Sequence, residues 1–173
     1  MDINKLRSII QEKKPNITEI DWGTQLTQWK KQIDNLYNMI KPWIVDIGNT
    51  KICLQKKTIH EEMLGTYNVE ILVATINQSE IKFDPVGSVI VGAWGRVDVM
   101  NSLYIKRTLL LVPKQTSGIE IKVTIANKDE PSTDNSKSAN IDKMAWKVLE
   151  ETKLELITLT KELFYDIIAE MVQ

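Results

Sequence analysis

Trp22, Leu26, Trp29, Ile33, Leu36, Ile40, Trp43 and Ile47 follow one another at alternating steps of four and three residues. That spacing places all eight on one stripe of an α-helix, with polar residues around the rest of it. Asp21 stands where an N-cap belongs, and Gly48-Asn49 stands where the helix must stop. Pro42 lacks an N–H and crowds the preceding turn, so a kink or a restart is expected there. Trp occupies three of the four equivalent positions 22, 29, 36 and 43. Indole rings are too bulky for regular knobs and holes, so the stripe should cover the protein's own core rather than a coiled-coil partner.

At Lys51 the apolar period changes from helical to two. Strands are expected at 51–57, 68–77, 80–84, 88–100, 103–112 and 119–126. Asn77-Gln78-Ser79, Asp84-Pro85-Val86-Gly87, Asn101-Ser102 and Thr116-Ser117-Gly118 supply the breaks. Such short connections permit hairpins but no crossovers, which makes the sheet largely antiparallel. Ile71 to Ile76 and Leu109 to Val112 are apolar on both strand faces and need cover above and below, from helices on two sides or from a rolled sheet.

A short amphipathic helix is expected upstream, at 3–13, and residues 127–140 contain no large apolar side chain and read as a flexible loop. Two further strands follow at 144–149 and 153–158. Thr160 then caps a final helix with Phe164, Ile167, Ile168 and Met171 on one face. The expected architecture is a single α+β domain over residues 1–173. A helical segment (1–48) and a C-terminal helix pack on a largely antiparallel sheet of about six to eight strands, drawn from residues 50–126 and 144–173.

Charge and residue usage exclude several functions. Lys and Arg total 22 against 23 Asp and Glu, so there is no surplus of cations to release counterions from a nucleic acid. Site-specific binding through a local Lys patch with Arg96 and Arg107 is the form of nucleic-acid recognition still open. With one cysteine, Cys53, no internal disulfide can form. The first residues lack the basic-then-apolar layout of a secretion signal, and no run of 18 apolar residues is present, so a cytoplasmic protein without a membrane span is expected. Arg occurs only at positions 7, 96 and 107 in a chain rich in Ile, Lys and Asn, a bias that fits an AT-rich bacterial or phage genome.

No catalytic, metal or cofactor constellation is legible. One His and one Cys cannot build a His/Cys zinc site, and Thr58-Ile59-His60-Glu61-Glu62 lacks the second His of a zincin. His60 reads as solvated, and Cys53, between Ile52 and Leu54, as a small buried hydrophobe; no third group orients them as a nucleophile pair. Gly87, Gly92 and Gly95 fall within a strand-like run, which is the wrong place for a dinucleotide loop. Asp84, Asp98 and the pair Glu61-Glu62 carry the one acid–base or metal chemistry left open.

The most distinctive segment is Gly92-Ala93-Trp94-Gly95-Arg96-Val97-Asp98-Val99. On a strand, Trp94, Arg96 and Asp98 share one face. With a two-residue turn at Asn101-Ser102, Asp98 would oppose Ile105, and Arg96 would oppose Arg107. Trp94, Arg96, Asp98 and Arg107 then form either a cross-strand ion pair beside a packed indole or a contact patch for a partner. Trp and Arg are the residue types that dominate interface energetics.

Leu64-Gly65-Thr66-Tyr67, Pro85-Val86-Gly87, the Gly-Arg-Val-Asp strand, Leu109 to Pro113 and the closing Leu159-Thr160-Lys161-Glu162-Leu163-Phe164 together resemble a group of small bacterial proteins. That resemblance implies a shared scaffold and carries no activity with it. The function expected from the residues is a non-enzymatic accessory or adaptor protein of a bacterial or phage system, binding a protein partner or itself. A carboxylate-based, metal-dependent hydrolase or nuclease is the alternative.

Overall fold

The computed structural model describes residues 21–90, 92–118 and 141–172; the expected helix at 3–13, strand at 119–126 and loop at 127–140 lie outside them. The periodic segment forms one helix, α1 (Trp22–Ile47). The Asp21 carboxylate accepts from the Thr24 N–H at 3.1 Å, and Gly48, at φ 79°, closes the helix by donating to the Val45 carbonyl. The helix runs through Pro42 without restarting. Pro42 and Asn38, whose carbonyl loses its donor, are both exposed, so solvent can satisfy that carbonyl. Trp29, Ile33, Leu36 and Ile40 are buried as expected, but Ile44 then replaces Ile47, which is 37% exposed. A seven-residue repeat drifts by about 20° per heptad on a straight helix, and the drift rotates the stripe across its length.

The strands are β1 (Thr50–Glu61), β2 (Gly65–Ile76), β3 (Ser79–Gly87), β4 (Arg96–Asn101), β5 (Lys106–Pro113), β6 (Met144–Glu150) and β7 (Glu155–Thr158). They pair antiparallel in chain order, β1 to β7, as one seven-stranded sheet. The final helix, α2 (Lys161–Met171), begins where the Thr160 hydroxyl accepts from the Leu163 N–H. The fold is α+β.

Both helices cover the same face. Trp29, Ile33, Leu36, Ile40 and Ile44 of α1 share one core with Phe164, Ile167 and Ile168 of α2 and with Phe83, Val97, Val99, Leu109 and Leu111 of the sheet. On the opposite face Leu110, Val112 and Leu156 form a smaller cluster. There the cover comes from chain rather than helix. Buried Lys147 donates to the carbonyls of Lys114 and Thr116 at 2.7 and 2.6 Å, and the Leu156 N–H donates to the Ser117 carbonyl. These bonds fold segment 114–118 back against the sheet. The double-faced apolar run at Leu109–Val112 is accounted for in this way.

Three expectations are corrected. The strand expected at 88–100 begins only at Arg96, because Gly92 turns the chain at φ 79° and leaves Ile90 and Ala93 as an isolated bridge. The strand expected from 103 begins at Lys106. Cys53 is exposed, because β1 is an edge strand among the described residues.

The sheet splits between β2 and β3. Their ladder holds only from Leu72 to Ile76, although β1 and β2 stay paired along their whole length. Leu72, Ala74 and Ile76 enter the core on one alternation of β2, whereas Tyr67 and Val69 enter it on the other. The two-stranded β1–β2 ribbon therefore rotates about its own axis beyond the split, as freed ribbons do. The Tyr37 hydroxyl of α1 sits at the fork. It accepts from the Leu72 N–H at 3.2 Å and lies 2.6 and 3.0 Å from the carbonyls of Glu70 and Phe83. Burial pushes this phenol up from its ordinary pKa, so it remains a donor. Farther out, Lys57 donates to Asp84 and to the Pro85 carbonyl, and Glu61 accepts from Ser88 and Val89.

Tyr37→Phe leaves buried backbone groups of β2 and β3 without a partner and is expected to cost about 2–3 kcal/mol. The midpoint of denaturant unfolding measures it, and a change below about 0.5 kcal/mol would contradict the bridging role.

Candidate functional site

The central strands β3, β4 and β5 determine which of the distinctive residues meet. Asp98 lies opposite Thr108 on one side and Asp84 on the other. Arg96, two residues earlier on the same strand face, grips the Asp98 carboxylate with both arms of its fork, Nε to Oδ1 at 2.8 Å and Nη2 to Oδ2 at 2.9 Å. That hydrogen bond raises the Arg96 pKa, against the opposing effect of burial. Thr108 Oγ1 lies 3.4 Å from Asp98, and Lys106 Nζ lies 3.9 Å from it. On the next strand, β3, Asp84 is neutralised by Lys57 of β1. The result is a row of two carboxylates and three cations across one sheet face, with Asp98 buried to 7% exposure. The two carboxylates are cross-strand neighbours, but each already holds its own cation.

The expected patch does not assemble as a unit. Arg96 lies opposite Leu110, and Asp98 opposite Thr108, where Arg107 and Ile105 were expected. A shift of three residues is odd, so it sends Arg107 to the other face of the sheet. There Arg107 lies opposite Val99 and pairs with Glu170 of α2. Trp94 precedes the strand in the loop between β3 and β4, 39% exposed, with its backbone N–H donating to the Leu111 carbonyl at 2.8 Å. Gly95 does permit a close approach, by Trp29: a Cβ there would lie 2.2 Å from the indole Cζ3.

The remaining candidates separate. Cys53 and His60 are seven residues apart on β1, about 23 Å at strand rise, so they cannot work as a pair. The His60 ring lies 2.9 Å from the Thr66 hydroxyl. The Glu61 carboxylate accepts from Tyr67 Oη, from Ser88 N–H and Oγ, and from the Val89 N–H at 2.8 Å. Burial would raise its pKa, but the Tyr67 hydroxyl and the Val89 and Ser88 donors outweigh burial and hold it below the usual range. It fastens the hairpin β1–β2 to the loop after β3. Among the described residues, no three His, Cys, Asp or Glu side chains converge in a group suited to a metal ion.

Reasoning from sequence missed the turn between β4 and β5. Asn101 faces Ile105, its N–H reaching the Ile105 carbonyl at 3.2 Å, so the loop is the three residues Ser102-Leu103-Tyr104. Buried Asn101 holds it from inside. Its Oδ1 accepts from the Leu103 and Ile105 N–H groups at 3.0 Å, and its Nδ2 donates to the Met171 carbonyl of α2. Tyr104 sits at φ 62°, the left-handed position that three-residue hairpins usually give to glycine. It is 89% exposed, and Leu103 is 68% exposed. In the neighbouring β6–β7 turn Leu154, at φ 54°, is 53% exposed. The signal available in the sequence was an apolar Leu-Tyr-Ile immediately after Asn-Ser.

Two expectations follow. Asp98→Ala should cost about 2–4 kcal/mol by stranding the Arg96 fork, whereas Arg107→Ala on the exposed side should cost no more than about 0.5 kcal/mol. Equal costs in urea unfolding would contradict the register. Glu61→Gln should lower stability at neutral pH and match the wild type in acid. A depressed carboxyl stabilises above its unfolded pKa, near about 4.3, and that contribution is lost as pH falls through the lower folded value. Thermal unfolding of both proteins across pH 2–7 tests this. No family model, no curated protein and no solved structure matches the chain.

Proposed function

We propose that this protein is a non-enzymatic accessory or adaptor protein, of a bacterial or phage system, that docks on a protein partner through the β4–β5 turn. The observation that carries this reading is Tyr104, a large aromatic residue placed almost wholly in solvent in a conformation that costs about 1–2 kcal/mol for any L-residue. Glycine would fold the same turn without that cost. Asn101 ties the turn to the last residue of α2, so the tip is pre-organised and little ordering entropy is lost on binding. Leu154 of the adjacent hairpin adds a second apolar contact, because β4–β5 and β6–β7 turn at the same end of neighbouring strands.

The partner's chemistry follows from the rim. Lys106 and Lys153 stand beside Glu150 and Glu151, a mixed charge pattern that suits the polar edge of a protein interface around an apolar pocket. An anionic lipid surface or a nucleic acid would call for a local basic surplus. No helix among the described residues is long and apolar enough to cross a membrane.

Tyr104→Gly should raise stability by about 1 kcal/mol while removing partner binding. Pull-down from the native host with wild-type, Tyr104→Gly and Leu103→Ser baits tests it, with photo-crosslinking from position 104 and sedimentation to detect self-association. Partners, or a second copy, lost with both tip variants and kept with Arg107→Ala support the reading. Identical recovery by all baits, with no crosslink at 104, overturns it. A second reading, carboxylate-based metal-dependent hydrolysis, draws on the Asp84–Asp98 juxtaposition. It requires a divalent ion to displace Lys57 and Arg96, and would show as a metal-dependent rise in melting temperature.

A further inference from the structure

Pro85 explains why β2 and β3 part beyond Leu72. Continued by two residues, their ladder would set Glu70 against Pro85, which has no N–H to give. The Tyr37 hydroxyl donates to the Glu70 carbonyl instead, and the Pro85 carbonyl is taken by Lys57. Backbone groups point to alternate sides along a strand, and both the Leu72 N–H and the Glu70 carbonyl point to Tyr37, away from β1. The Glu70 N–H and both backbone groups of Asn68 therefore point away from β1 as well, and they have no partner among the described residues. Asn68 and Glu70 are exposed, so a length of strand edge stands open to solvent, at the end of the sheet opposite the docking turn.

This edge borders a groove of ≈ 170 Å³ between β2 and α1, lined by Lys30, Ile33, Asp34, Asn68, Val69 and Glu70. Helix and strand run the same way here, since Lys30 stands 5.9 Å over the Tyr67 ring while Tyr37 reaches Glu70 and Leu72. Lys30 and Asp34 are exposed, one helical turn apart, and neither forms an ion pair among the described residues. Four helical residues rise about 6 Å and two strand residues about 6.8 Å, so alternate side chains of an added strand match that spacing. Such a strand would complete the open backbone groups of β2, while Pro85 and Lys57 close the facing edge of β3. Antiparallel pairing is the more stable kind, and a strand running against β2 passes Asp34 before Lys30. We propose that this edge takes an extended peptide segment of a partner protein, added antiparallel to β2, with a basic residue against Asp34 and, two positions later, an acidic residue against Lys30. The site is separate from the β4–β5 turn and adds a second contact to the one proposed there.

The test is a titration of the full-length protein followed by proton–nitrogen correlation spectra, reading the backbone amides of Asn68 and Glu70. The probe is the blocked peptide Ser-Val-Lys-Thr-Glu-Val-Ser, and its control exchanges the Lys and the Glu. Two further forms carry N-methyl groups on one or the other alternate set of backbone nitrogens. The expected result is a saturable downfield shift of both amide protons, with slowed hydrogen exchange. Only one edge of an added strand faces β2, so one methylated form should lose the shift and the other keep it. The exchanged-charge peptide should bind at least about threefold more weakly, as two exposed ion pairs would allow.

Lys30→Glu combined with Asp34→Lys, both at exposed positions that the fold does not need, should reverse the preference between the two charge orders. The proposal is overturned by no saturable shift, by equal behaviour of the two methylated forms, or by equal binding of the two charge orders. It is overturned equally if the Asn68 and Glu70 amides are already protected in the free protein, which would make the chain itself the occupant. Shifts that grow with protein concentration alone would assign the edge to a second copy and overturn it too. Because the groove lies away from the β4–β5 turn, Tyr104→Gly should leave the titration unchanged. Failure at one site is thereby distinguishable from failure at the other.

Discussion

The Tyr37 hydroxyl holds together a sheet that has stopped being a continuous ladder. Beyond Leu72 the strands β2 and β3 part, and the groups they no longer offer each other must find partners or be buried without them. One phenolic oxygen meets several of these needs, reaching Leu72, Glu70 and Phe83 from the helix above. It also pins α1 in register with the sheet. The helix can then lay Trp29 over Gly95, where no side chain larger than hydrogen would fit, and set Ile44 against the far end of the core. With the ribbon free to rotate, Tyr67 and Val69 turn into the same core as Leu72 and Ala74. Lys57 and Glu61 then bind the loosened ribbon to β3 and the following loop through side chains rather than backbone.

Against that frame the surface divides into parts that satisfy themselves and parts that do not. The charged row on the sheet face is self-contained. Arg96 and Lys106 neutralise Asp98, Lys57 neutralises Asp84, and the geometry leaves little for an external ion or substrate to gain. Two turn residues break a local rule while their side chains face solvent. Tyr104 and Leu154 each occupy a left-handed conformation with a large apolar side chain in view of solvent. Departures of this kind in an otherwise consistent fold are where function is expected to reside. They lie at the same end of neighbouring hairpins, β4–β5 and β6–β7.

The broad architecture was legible because periodicity reports directly on burial. The α1 stripe, the change of period at Lys51 and the Phe164–Ile167–Ile168–Met171 face of α2 each predicted their element and the side it buries. The detail of the site was not legible, for one reason. Reading Asn101-Ser102 as a two-residue turn sets the β4–β5 register three residues from where it falls, and an odd error exchanges the faces. Arg107 thereby appeared beside Arg96, when it belongs with Glu170. Cys53 failed differently: its apolar neighbours suit a central strand, and only the strand order shows that β1 is at the edge among the described residues.

The sequence by itself determined the quantities that depend on near neighbours. Side-chain period settled helix against strand, short connections settled antiparallel pairing, and caps such as Asp21 and Thr160 settled where helices begin. Tertiary structure alone decided which face each residue presents, which charges pair, and which polar groups go unanswered. These depend on register and on the rotation of the β1–β2 ribbon, both fixed by contacts between residues far apart in the chain. Tyr37 reaching Phe83 and Asn101 reaching Met171 are contacts of that kind, and no local spacing encodes them.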